Sequence, residues 1–157
     1  MLGTIGCILL AVAGWLAGEN AVYRLKRRVD ELCELSELMS QIDIYLTSCH
    51  LDTAGIFERI SAEKGSYKAF FSSADVNITE SVSSQIRSSG LEMCEPFADL
   101  IEKFGHTDLE GQLSQNALFK VEVSAALEKA QTAREKYTRI YRAAGLSAGL
   151  TAALILI

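Results

Sequence analysis

Apolar residues recur at steps of three and four along the stretch that follows Val22. Such spacing places side chains on one face of a helix, so it predicts a long first helix with a single apolar stripe. The stripe consists of Leu25, Val29, Leu32, Leu35, Met39, Ile42 and Leu46. A coiled coil with a partner and an internal seam both fit the stripe, and the helices that follow in the chain favour the internal seam.

The remaining pattern predicts further helices and no strand. Asp52 and Thr53 are candidate N-caps, because their side chains can accept the first backbone N–H groups of a helix. A helix is predicted from Asp52 or Thr53 to Gly65, followed by a short aromatic helix over Tyr67–Phe71 and a loop over Ser72–Asn77. A helix through Val82 and Ile86 comes next, and then one from Met93 to Phe104 with Pro96 in its first turn. A long last helix runs from Asp108 to Tyr141. The fold class is therefore all-α, an antiparallel helical bundle of about six helices.

Uncharged segments flank this helical region, and basic residues border each of them on the inner side. Met1–Gly18 and Ala143–Ile157 contain no charged residue. The bordering residues are Arg24, Lys26, Arg27 and Arg28 after the first segment, and Lys136, Arg139 and Arg142 before the second. Positive residues beside a spanning helix stay on the cytoplasmic side, so both borders set the same topology.

This topology predicts a membrane protein in three parts. An N-terminal transmembrane anchor covers residues 1–22, a cytoplasmic helical bundle covers 23–142, and a C-terminal transmembrane segment covers 143–157, with both termini outside. The long first and last helices continue into these segments. A span needs roughly 20 helical residues, so the shorter second segment crosses only if the bilayer thins; a buried or amphipathic terminal helix is the alternative. The basic residues follow the first apolar run, which favours an uncleaved anchor over a signal peptide.

Each uncharged segment carries two glycines four residues apart. They are Gly14 with Gly18, and Gly145 with Gly149. Glycines at this spacing let two helices approach closely in a membrane. We expect helix packing here, either between the two segments or between copies of the chain.

The middle of the chain is strongly acidic. Between Val29 and Glu128 there are 6 Lys or Arg and 18 Asp or Glu residues, a net charge of −12. This charge excludes electrostatic binding of nucleic acid and favours a basic protein partner. One possible partner face consists of Glu92, Glu95, Asp99 and Glu102, which follow one another at helical spacing. A merely solvated face is the alternative.

No chemistry of an enzyme stands out. The four cysteines contain no C-x-x-C pair, His50 and His106 are isolated, and no glycine-rich phosphate loop occurs. We expect no catalysis, no cofactor and no bound metal.

The turn around Gly105 has local structural explanations. Gly105 follows an apolar helix and predicts a left-handed C-cap. Thr107 and Glu110 predict a capping box, in which the hydroxyl accepts the N–H of Glu110 and the Glu110 carboxylate reaches back. Gln112 has no such local explanation.

This turn also carries a resemblance to a known family. Phe104–Gln112, the ending Lys136–Leu150 and the final Leu154–Ile157 resemble the stage III sporulation protein AB family. The residues that match the family's motif are Gly105, Thr107, Asp108 and Gln112. Ser81–Ser84 departs from it, because an aromatic-bearing helix is expected there.

The resemblance implies a non-enzymatic platform subunit of a secretion-like channel, in the mother-cell membrane around the forespore. It implies a bundle similar to a cytoplasmic domain of type II secretion and type IV pilus platform proteins. The implied partners are other channel subunits, including a cytoplasmic secretion-type ATPase, and membrane lipid; a homo-oligomer is also possible. A membrane-tethered acidic adaptor or sensor module unrelated to secretion is the alternative, and neighbouring genes would distinguish the two.

Overall fold

Five α-helices and one 3-10 helix make up the described chain. The computed structural model describes residues 2–48, 51–72 and 78–155. The helices are α1 (Leu2–Thr47), α2 (Thr53–Ser61), the 3-10 helix (Lys68–Ser72), α3 (Ile78–Ser88), α4 (Cys94–Glu102) and α5 (Leu109–Ile155). No strand occurs within these ranges. The all-α class is confirmed.

The helices differ from the prediction in two details. The aromatic segment after Tyr67 is a single 3-10 helix rather than a sixth α-helix, which accords with its length of 5 residues. Helix α2 ends at Ser61, before the predicted stop at Gly65.

Side-chain contacts hold the chain after α2. Gln41 Nε2 and Lys68 Nζ donate to Glu63 Oε2 at 3.2 and 2.5 Å. The Lys68 ammonium is the main reason that the pKa of Glu63 is lowered.

The chain divides into two compact units. A central unit comprises Asp30–Leu127, and a terminal unit comprises Met1–Val29 together with Glu128–Ile157. Helices α1 and α5 contribute to both units. The central unit holds a net charge of −11 and the terminal unit a net charge of +6.

The predicted membrane spans, residues 1–22 and 143–157, fall on the outer ends of α1 and α5. Among the residues that the structure describes, no helix combines the length and the apolar character needed to cross a bilayer. The side chains of residues 1–5, 7, 8, 10, 11, 150 and 153–157 lie outside the described part, as do Cys49, His50 and residues 73–77 of the predicted loop.

The apolar stripe of α1 forms one side of the core of the central unit. Leu32, Leu35, Met39 and Ile42 are each 0% exposed. From Leu35 to Leu46 the stripe packs with buried residues of α2, α3, α4 and α5 of the same chain. The internal seam is therefore confirmed over this part of α1, and burial of each such side chain stabilises the fold by about 1.5–3 kcal/mol.

Aromatic rings fill the space between the shorter helices and α5. Phe57 contacts Phe71 edge-on at 4.8 Å between ring centroids, and Phe97 stacks on Phe119 at 5.8 Å. Tyr67 meets Phe97 edge-on, and its hydroxyl donates to the carbonyl of Glu92. Burial raises the pKa of Tyr67 well above its usual range, so the phenol stays protonated and keeps this hydrogen bond.

A polar network joins α1 to α5 inside the central unit. Asn116 is 0% exposed, and its Nδ2 donates to Asp43 Oδ1 at 2.9 Å. Lys120 Nζ donates to Asp43 Oδ2 at 3.0 Å. Asp43 therefore serves two donors of α5 and fixes the register of the two helices where they pack.

We predict that Asp43→Ala destabilises the chain by about 1–3 kcal/mol, because the buried Asn116 amide loses its acceptor. Urea unfolding of the purified full-length chain, followed by circular dichroism, is the measurement. Glu37→Ala is the control, since it removes an exposed carboxylate from the same helix. Equal midpoints for the two variants would contradict a structural role for Asp43.

Candidate interaction surface

Three of the four predicted acidic residues gather around one arginine. Arg87 of α3 donates from Nη1 to Glu95 at 2.9 Å, and from Nη2 to Asp99 at 2.6 Å and Glu102 at 2.8 Å. These hydrogen bonds, with that to Asp99 the strongest, raise the pKa of Arg87. We call Arg87, Glu95, Asp99 and Glu102 the acidic cluster.

The acidic cluster remains accessible despite its internal pairing. The side chains of Glu95, Asp99 and Glu102 are 65%, 56% and 57% exposed. Exposed ion pairs contribute little to stability, so the cluster is not needed to hold α3 to α4. Three carboxylates share one guanidinium, which leaves a net charge of −2 on this surface.

Sequence reasoning missed Arg87 and misplaced Glu92. Arg87 lies on α3 and pairs with acids of α4, so the helical spacing of the acids within α4 could not predict it. Glu92 precedes α4, because Met93 adopts a left-handed conformation with φ 56° immediately before the helix begins. Its backbone N–H donates to Glu31 Oε2 at 3.4 Å. The structure therefore places Glu92 away from the helical register of the other three acids.

A groove of mixed polar and apolar lining adjoins the acidic cluster between α4 and α5. It has a volume of about 320 Å³ and shares Asp99 with the cluster. Its lining residues are Pro96, Asp99, Leu100, Lys103, Gln115, Leu118, Phe119 and Glu122. Leu118 and Val121, the latter nearby on α5, are each 66% exposed. The surface thus combines accessible apolar side chains with carboxylates, as protein interfaces with a polar rim do.

The turn after α4 has the predicted left-handed glycine. Gly105 has φ 86°, and a Cβ at this position would lie 2.8 Å from Thr53 Oγ1. The helix ends at Glu102 with Lys103 as its cap residue, so Gly105 closes the turn that follows the cap rather than the last helical turn. His106 N–H donates to the Lys103 carbonyl at 3.2 Å and completes this turn.

The predicted capping box of Thr107 and Glu110 is wrong. Helix α5 begins at Leu109, and Asp108 caps it by accepting the Gly111 N–H on Oδ1 at 3.1 Å. A carboxylate is favoured over a hydroxyl here, because it also interacts with the positive end of the helix dipole. Asp52 caps α2 in the same way, accepting the Gly55 N–H at 3.0 Å, which resolves the choice between Asp52 and Thr53.

Gln112 lies at a second groove, within the central unit. It is 9% exposed and lines a volume of about 360 Å³ with Leu46, Leu51, Asp52, Thr53, Gly105 and Leu109. The turn residues Gly105 and Gln112 therefore meet at one place, although seven positions separate them. Over the described ranges, no group of three His, Cys, Asp or Glu side chains is arranged to hold a metal ion.

The turn from Gly105 to Gln112 is part of a longer stretch that matches a known protein family. The sequence model for stage III sporulation protein AB matches residues 3–157. The chain belongs to this family. A search of curated proteins and a search of solved structures each gave no match. Membership confirms the resemblance of the sequence and associates the chain with sporulation.

In this family member, the four glycines predicted for helix packing, Gly14, Gly18, Gly145 and Gly149, meet at one helix crossing in the terminal unit. A Cβ on Gly14 would lie 2.6 Å from the carbonyl oxygen of Gly145 and 2.7 Å from Cα of Gly149. A Cβ on Gly18 would lie 2.8 Å from the carbonyl oxygen of Tyr141. Side chains larger than hydrogen would force α1 and α5 apart. The crossing joins the two predicted segments of one chain.

The basic borders of the predicted segments also lie in the terminal unit. Arg142 Nε donates to Glu19 at 2.7 Å, next to the glycine crossing. The Lys136 ammonium lies 5.4 Å from the centroid of the Tyr137 ring. The α1 border residues Arg24, Lys26, Arg27 and Arg28 are all exposed.

We predict that Gly105→Ala destabilises the chain more than Gly90→Ala. Both glycines have positive φ, so each change costs about 1–2 kcal/mol of backbone strain. Only Gly105 has a neighbour in the way, since nothing lies within 4 Å of a Cβ at Gly90. Thermal unfolding of the two variants measures the difference. In the double variant Gly105→Ala/Thr53→Ala, the stability lost beyond that of Gly90→Ala should be recovered, because the Thr53 hydroxyl is removed. If it is not recovered, the clash with Thr53 does not contribute.

Proposed function

We propose that this protein is a membrane-attached, non-enzymatic platform subunit of a secretion-like channel used in sporulation. The central unit docks a basic face of another subunit, with a cytoplasmic secretion-type ATPase as the principal candidate. Family membership supports the sporulation role. The observation that carries the docking proposal is the acidic cluster beside a groove with exposed Leu118 and Val121, on a unit with a net charge of −11.

The acidic cluster suits a basic partner because Arg87 neutralises only one of its three carboxylates. A partner guanidinium or ammonium can reach these carboxylates without breaking a buried ion pair. The groove beside them offers the exposed side chain of Leu118 to an apolar side chain of the same partner. Charges at such a rim mainly set the association rate and the dependence on salt, while apolar contacts contribute affinity.

Attachment to the cell membrane is supported by the uncharged ends of the sequence, Met1–Gly18 and Ala143–Ile157, and by their basic borders. Basic residues on the inner side of both segments support a cytoplasmic central unit with both termini outside. In a sporulating cell, family membership favours the mother-cell membrane around the forespore.

We predict that reversing Glu95, Asp99 and Glu102 to lysine abolishes recovery of channel subunits with the full-length protein from membranes. Conversely, Arg87→Gln should preserve or strengthen recovery at low salt, because it raises the negative charge of the cluster. Strengthened binding should weaken again as salt rises, since the Debye length falls to about 8 Å at 0.15 M.

The matched control reverses Glu37, Glu58 and Glu110, three exposed acids of the central unit that lie outside the acidic cluster. It produces the same change of net charge. Equal loss in both triple variants would show that overall charge, and not this surface, recruits the partner. Unchanged recovery in the cluster variant would place docking elsewhere. Circular dichroism must show the same helix content in all variants.

We predict that Ser114→Cys is protected from an impermeant thiol reagent in intact cells and labelled after lysis. Ser114 is exposed on α5 in the central unit, so protection reports a cytoplasmic location rather than burial. The background replaces all native cysteines by alanine. A cysteine appended after Ile157 is the positive control and should be labelled before lysis. Labelling of Ser114→Cys in intact cells would overturn the topology.

A further inference from the structure

A basic groove lies within the terminal unit between α1 and α5. It has a volume of about 930 Å³ and is lined by Val29, Gln131, Arg134, Glu135, Lys136, Thr138 and Arg139. One face of α5 supplies most of the lining, because five of these residues follow helical spacing. They are Gln131, Arg134, Glu135, Thr138 and Arg139. Val29, 4% exposed on α1, closes the groove from the other side.

The charge of this groove is not explained by the fold. Three cations line it against one carboxylate, Glu135. Arg134 and Arg139 are exposed and form no ion pair with any residue that the structure describes. By contrast, the neighbouring Arg142 is paired with Glu19. Two guanidinium groups without carboxylate partners on one helix face form a site suited to a phosphate group.

The surroundings of the groove favour a lipid as the source of that phosphate. Tyr137 and Tyr141 of the same helix stack at 5.9 Å between ring centroids and remain 37% and 39% exposed. Tyrosines with an exposed ring and a polar tip are typical of the level of lipid headgroups. The uncharged segment Ala143–Ile157 begins two positions after Tyr141. A phospholipid with its chains along that segment would have its headgroup near the groove.

We propose that the groove binds the headgroup of an anionic phospholipid, with Arg134 and Arg139 on the phosphate and Gln131 near the polar end of the headgroup. The proposal rests on the membrane attachment proposed above. It adds a specific headgroup site to the general preference of basic residues for the inner leaflet. Lys136 supplies further positive charge at the rim.

The test measures binding of water-soluble, short-chain phosphatidylglycerol to the full-length protein in neutral detergent. We expect binding of phosphatidylglycerol and at least tenfold weaker binding of short-chain phosphatidylcholine, because the latter has no net charge. The variant Arg134→Gln/Arg139→Gln should weaken phosphatidylglycerol binding by about tenfold or more, as the loss of one charge-assisted hydrogen bond already does. The affinity of Arg134→Lys/Arg139→Lys for phosphatidylglycerol should lie between those of the parent protein and the glutamine variant. Lysine keeps the positive charge but loses the bidentate geometry of arginine.

The matched control is Lys26→Gln/Lys129→Gln, which removes the same charge from exposed positions of the terminal unit that do not line the groove. Equal weakening in both double variants would overturn a specific site in favour of diffuse attraction. Equal affinity for both lipids would overturn anion selectivity. If inorganic phosphate or an acidic peptide binds as tightly and with the same dependence on Arg134 and Arg139, the lipid assignment is overturned.

The detergent measurement does not need the protein to span a membrane. A negative result for lipid binding is therefore distinct from a wrong topology, which the labelling of Ser114→Cys would show. It is likewise distinct from failure of partner docking, which the cluster variants report. Helix content and the unfolding midpoint of each double variant must match the parent protein, which the exposure of the substituted side chains favours.

Discussion

The buried stripe of α1 is the contact on which the central unit depends. Leu32, Leu35, Met39 and Ile42 are removed completely from solvent, and the shorter helices and α5 each pack against them or against their neighbours. None of the short helices, at 9 to 11 residues, is long enough to be stable alone in water. They persist because each buries an apolar face against this stripe or the aromatic rings around it.

Carboxylates hold the backbone at three points between helices. Asp52 and Asp108 accept the first free N–H groups of α2 and α5, while Glu34 of α1 accepts the N–H of Tyr67 at 2.8 Å. Part of the strong negative charge of the central unit is therefore structural. The acidic cluster is different, because its carboxylates are exposed and share a single arginine. That difference separates acids that hold the fold from acids available to a partner.

The opposite net charges of the two units give them different suitable partners. The terminal unit combines close-packed glycines, exposed tyrosines and a basic groove, a combination suited to a membrane surface carrying anionic lipid. The central unit combines carboxylates with exposed apolar side chains, a combination suited to a basic protein. The proposed platform role would require both properties, since it connects a membrane to a soluble component.

The sequence by itself determined the features that depend on local spacing. The three-and-four periodicity established the helices and the buried stripe, the isolated Gly105 indicated its left-handed turn, and Asp52 was a candidate cap from its position alone. The residues of the turn and of the C-terminal ending were also sufficient to identify the family. These inferences succeeded because helix faces and backbone conformation depend on residues only a few positions apart.

Only the tertiary structure decided the contacts between distant segments. Arg87 reaches three acids across the α3–α4 turn, Asp43 meets Asn116 across 73 positions, and Gly14 meets Gly145 on another helix. The choice of Asp108 over Thr107 as the cap, and the displacement of Glu92 by the left-handed Met93, depended on where each helix begins. Periodicity identifies which residues share a face but not where the face begins or what lies opposite it, because those depend on how the whole chain packs.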